Sequence, residues 1–177
     1  MTDDPGRDPA VPERARRIKG VFLDVDGVLT DGRITYDSAG KELKWFNVRD
    51  GFGVRRLIKA GIGVALITGR SAEVVDVRAR ELGIPEVHQG VSDKVSVFRD
   101  ILSRWNISEE EAAYVADDIP DLPVFSRVGL AVAVADACPE IISRAHVVTR
   151  RKGGFGAVRE AAELILQTQG KWTDKDG

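Results

Sequence analysis

From Ile18 onward, short apolar runs alternate with amphipathic stretches. The runs are Gly20-Val-Phe-Leu-Asp-Val, Gly63-Val-Ala-Leu-Ile-Thr, Ala113-Tyr-Val-Ala-Asp, Leu130-Ala-Val-Ala-Val and His146-Val-Val-Thr. Each is brief, rich in β-branched residues and bounded by Gly, Asp or Thr, as strands buried on both faces of a parallel sheet are. Between them, helical periodicity covers about Asp50 to Ala60, Ala72 to Leu82, Ser92 to Arg104, Pro120 to Ser126 and Gly156 to Gln169. Ser108-Glu-Glu-Glu reads as a short capped helical turn. This alternation predicts an α/β fold, a doubly wound Rossmann-like sandwich around a parallel sheet. One segment breaks it. Arg33-Ile-Thr-Tyr and Glu42-Leu-Lys-Trp-Phe flank Asp37-Ser-Ala-Gly, which predicts a β-hairpin flap directly after the first strand.

The two ends lack this patterning. Residues 1–17 hold three prolines and many charges without periodicity, so a disordered tail is expected there, with a flexible tail over 171–177. Residues 18–170 then form one domain, a length that supports a single core. A net charge of -2 lacks the basic excess that neutralises phosphates, which argues against a nucleic-acid partner. Cys138 is the one cysteine, so no internal disulfide is possible and a reducing compartment is expected. No apolar run approaches the roughly 20 residues that span a bilayer, and the acidic N-terminus does not resemble a signal peptide. No membrane partner and a cytoplasmic location are therefore expected.

Ligands of open α/β sheets bind beyond the carboxyl ends of the strands. Asp24 and Asp26 follow the first apolar run, Thr68 the second, and Asp117, Asp118 and Asp121 the Ala113 run, while Lys94 lies near the start of a predicted helix. Residues two apart leave a strand on one face, so Asp24 and Asp26 can approach one point. Any single Asp there could be an ordinary turn residue. The full set is a carboxylate cluster that is costly without a cation, and its all-oxygen donors suit Mg²⁺ better than zinc.

The order D-V-D-G-V-L-T-D-G, I-T-G-R, a lone Lys and A-D-D-I-P-D resembles the four motifs of the haloacid dehalogenase superfamily of phosphatases. The resemblance implies that Asp24 is the nucleophile and Asp26 the acid/base, with Thr68 and Lys94 clamping the phosphoryl group. It makes Asp24, Asp117 and the backbone carbonyl of Asp26 the magnesium ligands, with Asp118 and Asp121 as supports behind them. Neither usual insertion point for a cap domain has room for one, so closure of the site must come from the hairpin or a neighbouring subunit.

T-D-G-x-x-x-Y, F-N-V-R-D-G-F-G-V-R, V-A-V-A-D-A and G-G-x-G-A-V-R-E resemble the cap-less 3-deoxy-D-manno-octulosonate 8-phosphate phosphatase family, whose best-known member is a homotetramer in lipopolysaccharide synthesis. Ala116 departs from the Gly usual there. By this resemblance Asp26, Asn47, Val48, Arg49, Asp50, Gly51, Arg55, Arg70, Arg78 and Lys94 line a pocket for a phosphorylated sugar acid. Arg suits that task because its planar fork pairs a carboxylate or phosphate bidentately. On a helical wheel Arg78 falls within the apolar arc of Val74, Val75, Val77, Ala79 and Leu82, so it needs an anionic partner or an interface. Gly51 and Gly53 would allow the backbone close to a ligand.

A nonulosonate 9-phosphate would offer the same two handles. A non-catalytic oligomerisation module is the alternative from another class, against which the intact acidic set argues. A signalling receiver domain also holds Mg²⁺ among carboxylates, but it places its acidic pair on the first strand. His88, His146, Trp45, Trp105 and Cys138 are expected to be structural.

Overall fold

The computed structural model describes residues 9–172. Its elements are α1 (Val11–Arg17), β1 (Gly20–Leu23), β2 (Thr35–Tyr36), β3 (Glu42–Leu43), α2 (Val48–Lys59), β4 (Gly63–Ile67) and α3 (Glu73–Leu82). There follow β5 (Glu86–His88), α4 (Lys94–Trp105), β6 (Ala112–Ala116), α5 (Leu122–Phe125), β7 (Leu130–Ala133), α6 (Pro139–Ile142), β8 (Val147–Val148) and α7 (Ala157–Thr168). Six strands form one parallel sheet in the order β5-β4-β1-β6-β7-β8. The predicted doubly wound sandwich is present, with no cap domain among the described residues. β1 is flanked by β4 and β6, so chain direction across the sheet reverses at β1, and a ligand crevice opens at such a switch point.

Burial explains why these strands were readable. Every residue of β1, β6 and β7 is buried, which requires continuous apolar sequence on both faces. Phe22 on β1 meets Phe98 of α4 edge-on at 4.7 Å and Trp105 at 5.3 Å, so the partly buried Trp105 packs against the core. His146 is structural too, its Nδ1 accepting from the Ala131 backbone N–H at 2.9 Å.

Several expectations need correction. Residues 11–17 are helical, and α1 buries Val11 and Ala15 against the core. Its Pro12 sits in the first turn, where no intrahelical N–H is lost, so proline did not imply a tail. Residues 1–8 lie outside the described residues. At the other end Trp172 packs beside Phe52, with the Arg56 and Arg159 guanidiniums 5.1 and 4.6 Å from its ring, and residues 173–177 lie outside the described set. The hairpin is shorter than its pattern: only Thr35–Leu43 and Tyr36–Glu42 pair. Its turn is tied by Asp37 Oδ1, which accepts from Ala39 and Lys41 backbone N–H groups at 2.8 Å each.

The α2–α7 contact shapes the wall near the site. Asp50, 1% exposed, accepts from the Gly156 and Arg159 backbone N–H groups at 3.0 and 2.9 Å, capping the start of α7 from α2. Burial pushes its carboxyl up, and these N–H groups pull it back. Asp50→Ala would strand two N–H groups, a loss of about 2–4 kcal/mol. The expected Tm decrease is roughly 4–16 °C at this chain size, readable by calorimetry; an unchanged Tm would contradict the capping role.

Candidate active site

The carboxyl ends of the three central strands deliver the chemistry. Past β1 the chain turns at once, with Val28, Leu29 and Thr30 N–H groups donating to the Val25 carbonyl. Thr30 Oγ1 accepts from Gly27 and Gly32 N–H groups at 3.4 and 3.3 Å, closing the loop that presents Asp24 and Asp26. At Gly27, φ is +85° and an added Cβ would lie 2.0 Å from Asp117 Oδ2. Only glycine lets the β1 and β6 loops come this close.

Thr68, 2% exposed, directly follows β4, and its backbone N–H donates to the His88 carbonyl at 3.0 Å. Lys94 is the first residue of α4, whose start is capped by Asp93 Oδ1 accepting from Val95 and Ser96 at 3.1 Å. Lys94 Nζ donates to Asp24 Oδ1 at 3.0 Å and to Asp121 Oδ1 at 2.6 Å, and the buried Tyr114 hydroxyl also donates to Asp121 Oδ1 at 2.6 Å. Asp24, Asp26, Thr68, Lys94, Asp117 and Asp121, with Gly69, Arg70, Val91, Ser92, Asp118 and Pro120, line a cleft of about 260 Å³.

The electrostatics are unbalanced. Burial, then the facing Asp121, pushes Asp24 up to about 7. Burial, then Asp24, Asp121 and Asp118, pushes Asp117 up to about 8. Burial alone would depress Lys94, but Asp24 and Asp121 hold its ammonium above the ordinary value. One lysine does not neutralise this many carboxylates. Oxygen atoms of Asp24, Asp117 and Asp121 lie within 4.8 Å of one another, and Asp117 Oδ1 is buried without a hydrogen-bond partner. An all-oxygen cradle with an orphaned carboxylate oxygen fits a hard divalent cation such as Mg²⁺. Asp121 thus joins the group of potential donors, although two hydrogen bonds already occupy its Oδ1.

Comparison with known proteins decides the family. A family model described as haloacid dehalogenase-like hydrolase matches residues 83–160. The chain is 50% identical over 169 residues to the 3-deoxy-D-manno-octulosonate 8-phosphate phosphatase of Salmonella typhimurium, covering 96% of this chain and 90% of that protein. The solved structure of the Yersinia pestis phosphatase of that name superposes with TM-score 0.91 at 50% identity, covering 92% of this chain and 88% of that one. The Moraxella catarrhalis phosphatase of that name, solved with magnesium, phosphate and KDO, gives TM-score 0.88 at 41% identity, with 90% and 92% covered. This chain belongs to the cap-less phosphatase family of the haloacid dehalogenase superfamily. It is a phosphoric monoester hydrolase with a site for a divalent cation.

In this cap-less phosphatase, one chain gathers only part of the expected site. Asp24, Asp26, Thr68, Arg70, Lys94 and Asp117 share the cleft. Asn47 instead donates to the Gly154 carbonyl at 3.1 Å and lines a second cleft of about 360 Å³ with Trp45 and Phe155. Val48, Gly51, Arg55 and Arg78 line a third, of about 700 Å³. Arg49 is exposed, and Asp50 is engaged in capping α7. Arg78 finds the anionic partner its position required, Glu81 at 3.1 Å, and lies 5.9 Å from the Phe46 ring centroid. Val77, expected in the apolar arc, is exposed. Gly51 admits Arg78, since a Cβ there would sit 2.3 Å from its Nη2; Gly53 admits α7.

Sequence reasoning missed Lys44, Glu42 and Tyr114. Lys44 Nζ bonds Asp26 Oδ1 and donates to Glu42 Oε1 at 2.8 Å, with its side chain only 1% exposed. Burial would depress Lys44, but its bonds to Asp26 and Glu42 outweigh that and raise it. The available signal was Glu42-Leu-Lys44, two opposite charges on one face of a strand. For Tyr114 it was a hydroxyl inside an otherwise apolar buried strand, which needs a partner.

Proposed function

We propose that this phosphatase hydrolyses 3-deoxy-D-manno-octulosonate 8-phosphate to the free sugar acid and phosphate, through a phosphoryl group carried on Asp24. The observation that carries the substrate is its 50% identity over nearly the whole chain to a phosphatase of that name. The sheet-end cluster of Asp24, Asp26, Thr68, Lys94 and Asp117 supports the route.

Asp24 attacks phosphorus as the bond to the sugar oxygen breaks. Asp26 gives its proton to that leaving oxygen, then takes one from the water that displaces Asp24. Lys94 and Thr68 hold the phosphoryl oxygens, so the ammonium that pairs with Asp24 also offsets the substrate's charge. Asp121 and Tyr114 hold Lys94 in place from the buried side. Asp24, Asp117 and the Asp26 carbonyl would hold Mg²⁺, which supplies charge neutralisation between the carboxylate and the phosphoryl oxygens when bound. Arg70, which lines the cleft, would pair with the sugar acid's carboxylate.

Arg55 and Arg78 line a different cleft from Asp24, Asp26 and Asp117, so a substrate role for them would come from a second copy of the chain. Exposed Ile34, Tyr36, Leu43, Trp45, Val48, Phe52 and Phe155 provide apolar surface for such assembly. A homotetramer accords with both facts, and light scattering should return four times the 19.3 kDa chain mass. A cytoplasmic location accords with the single cysteine; among the described residues no helix is long and apolar enough to cross a membrane. Ranked by kcat/KM across sugar phosphates, the octulosonate 8-phosphate should exceed a neutral hexose 6-phosphate by about 100-fold or more, the range expected of a desolvated carboxylate–arginine pair. A nonulosonate 9-phosphate ranking first would overturn the substrate assignment.

A further inference from the structure

The hairpin brings one buried ammonium to the proton carrier. Lys44 lies just beyond β3, its side chain 1% exposed, with Asp26 and Glu42 as its partners. Taking a lysine out of water is costly unless anions compensate. A lysine serving only to solubilise a short hairpin would point outward.

The two oxygens of Asp26 are treated differently. Oδ1 is bonded to Lys44, whereas Oδ2 is buried without a hydrogen-bond partner, with Arg70 Nε 3.9 Å away. Glu42 divides its carboxylate in the same manner, Oε1 to Lys44 at 2.8 Å and Oε2 to Arg70 at 3.1 Å. Arg70 also donates to Tyr36 on the opposite hairpin strand at 3.4 Å. Both strands of the hairpin are thereby tied to the residue that moves the proton.

We propose that Lys44 is a positioning residue: it grips Asp26 Oδ1 so that Oδ2 faces the scissile oxygen, and Glu42 holds Lys44 to that task. The inference rests on Asp26 being the proton carrier described above. As the phosphorus–oxygen bond to the sugar breaks and that to Asp24 forms, Oδ2 delivers its proton to the departing alkoxide. An Asp side chain released from Lys44 would rotate, and displacement of about 1 Å at a reacting group can cost about 10²-fold.

Leaving-group dependence separates positioning from mere stapling of the hairpin. An alkoxide needs a proton as it departs, whereas 4-nitrophenolate leaves without one. Wild type, Lys44→Met, Asp26→Asn and the double variant would be compared by kcat/KM, which covers steps through phosphorylation of Asp24. The substrates would be 3-deoxy-D-manno-octulosonate 8-phosphate and 4-nitrophenyl phosphate, with Mg²⁺. In Lys44→Met the sugar-to-aryl ratio of kcat/KM should fall by about 30–100-fold. Asp26→Asn should shift it the same way, and adding Lys44→Met to Asp26→Asn should shift it no further. An equal proportional loss on both substrates, as misfolding or a loosened hairpin would give, overturns the proposal. So does no loss on either, or an additive loss in the double variant. Wild type inactive on both substrates would overturn the phosphatase mechanism and this inference together, a result distinct from all of these.

Discussion

Asp24→Asn should lower kcat by at least about 10⁴-fold, the scale of removing a covalent nucleophile. The amide is nearly isosteric but cannot attack phosphorus, and Lys94 and Asp117 remain in place around it. Loss of folding would not account for the result. Burial, then the Asp121 charge, pushes folded Asp24 up to about 7, above the ordinary carboxylate value. A carboxyl raised in this way contributes stability below its unfolded value, and that contribution is lost as pH rises through the folded one. At pH 8 without metal, Asn at position 24 should therefore match or exceed wild type in Tm. A variant that is inactive yet no less stable is the expected pair of readings. Near-normal phosphate release would contradict the assignment.

The second large effect concerns the cation. Asp117 is pushed up to about 8 by burial and by Asp24, Asp121 and Asp118, and the sign is the same as for Asp24. In chelator, wild-type Tm should decline from about pH 4 and level off near pH 8, once both folded carboxyls have ionised against one another. Mg²⁺ should reverse that decline, because it binds the ionised cluster and the unfolded chain lacks the site. At about 100-fold above Kd, binding adds about 2.7 kcal/mol, which is roughly 5–10 °C for a chain of this size. Asp117→Asn should flatten the decline, remove most of the Mg²⁺-induced rise and cut kcat by orders of magnitude. A full Mg²⁺ shift in that variant would place the cation elsewhere.

Much of this site was legible because its residues end strands. β1, β4 and β6 are buried on both faces, so their sequences are unbroken apolar runs, and the first polar residues past them mark the catalytic edge. Elements with weaker signals escaped. β5 pairs only three residues, one of them Glu86, at the edge of the sheet. α1 was concealed by Pro12, and α6 spans four residues.

The pocket was harder to read than the catalytic edge. Resemblance grouped Arg55 and Arg78 with the strand-end aspartates, but a single chain places them along α2 and α3, lining a different cleft. A helical wheel could state that Arg78 needed an anion; it could not choose between Glu81 and a substrate. Lys44 was missed for a related reason. Its partner Asp26 is 18 residues away, and the contact exists only once the hairpin folds back over the end of β1.

The carboxylate at position 24 should become phosphorylated during turnover with a divalent cation present. Acid-quenching the enzyme in the steady state and mapping its peptides by mass spectrometry tests this directly. The peptide containing Asp24 should carry one phosphoryl group, lost when Mg²⁺ is chelated and absent from the Asp24→Asn variant. Rapid phosphate release with the phosphoryl group on another residue, or an equal yield of labelled Asp24 in chelator, would contradict the account.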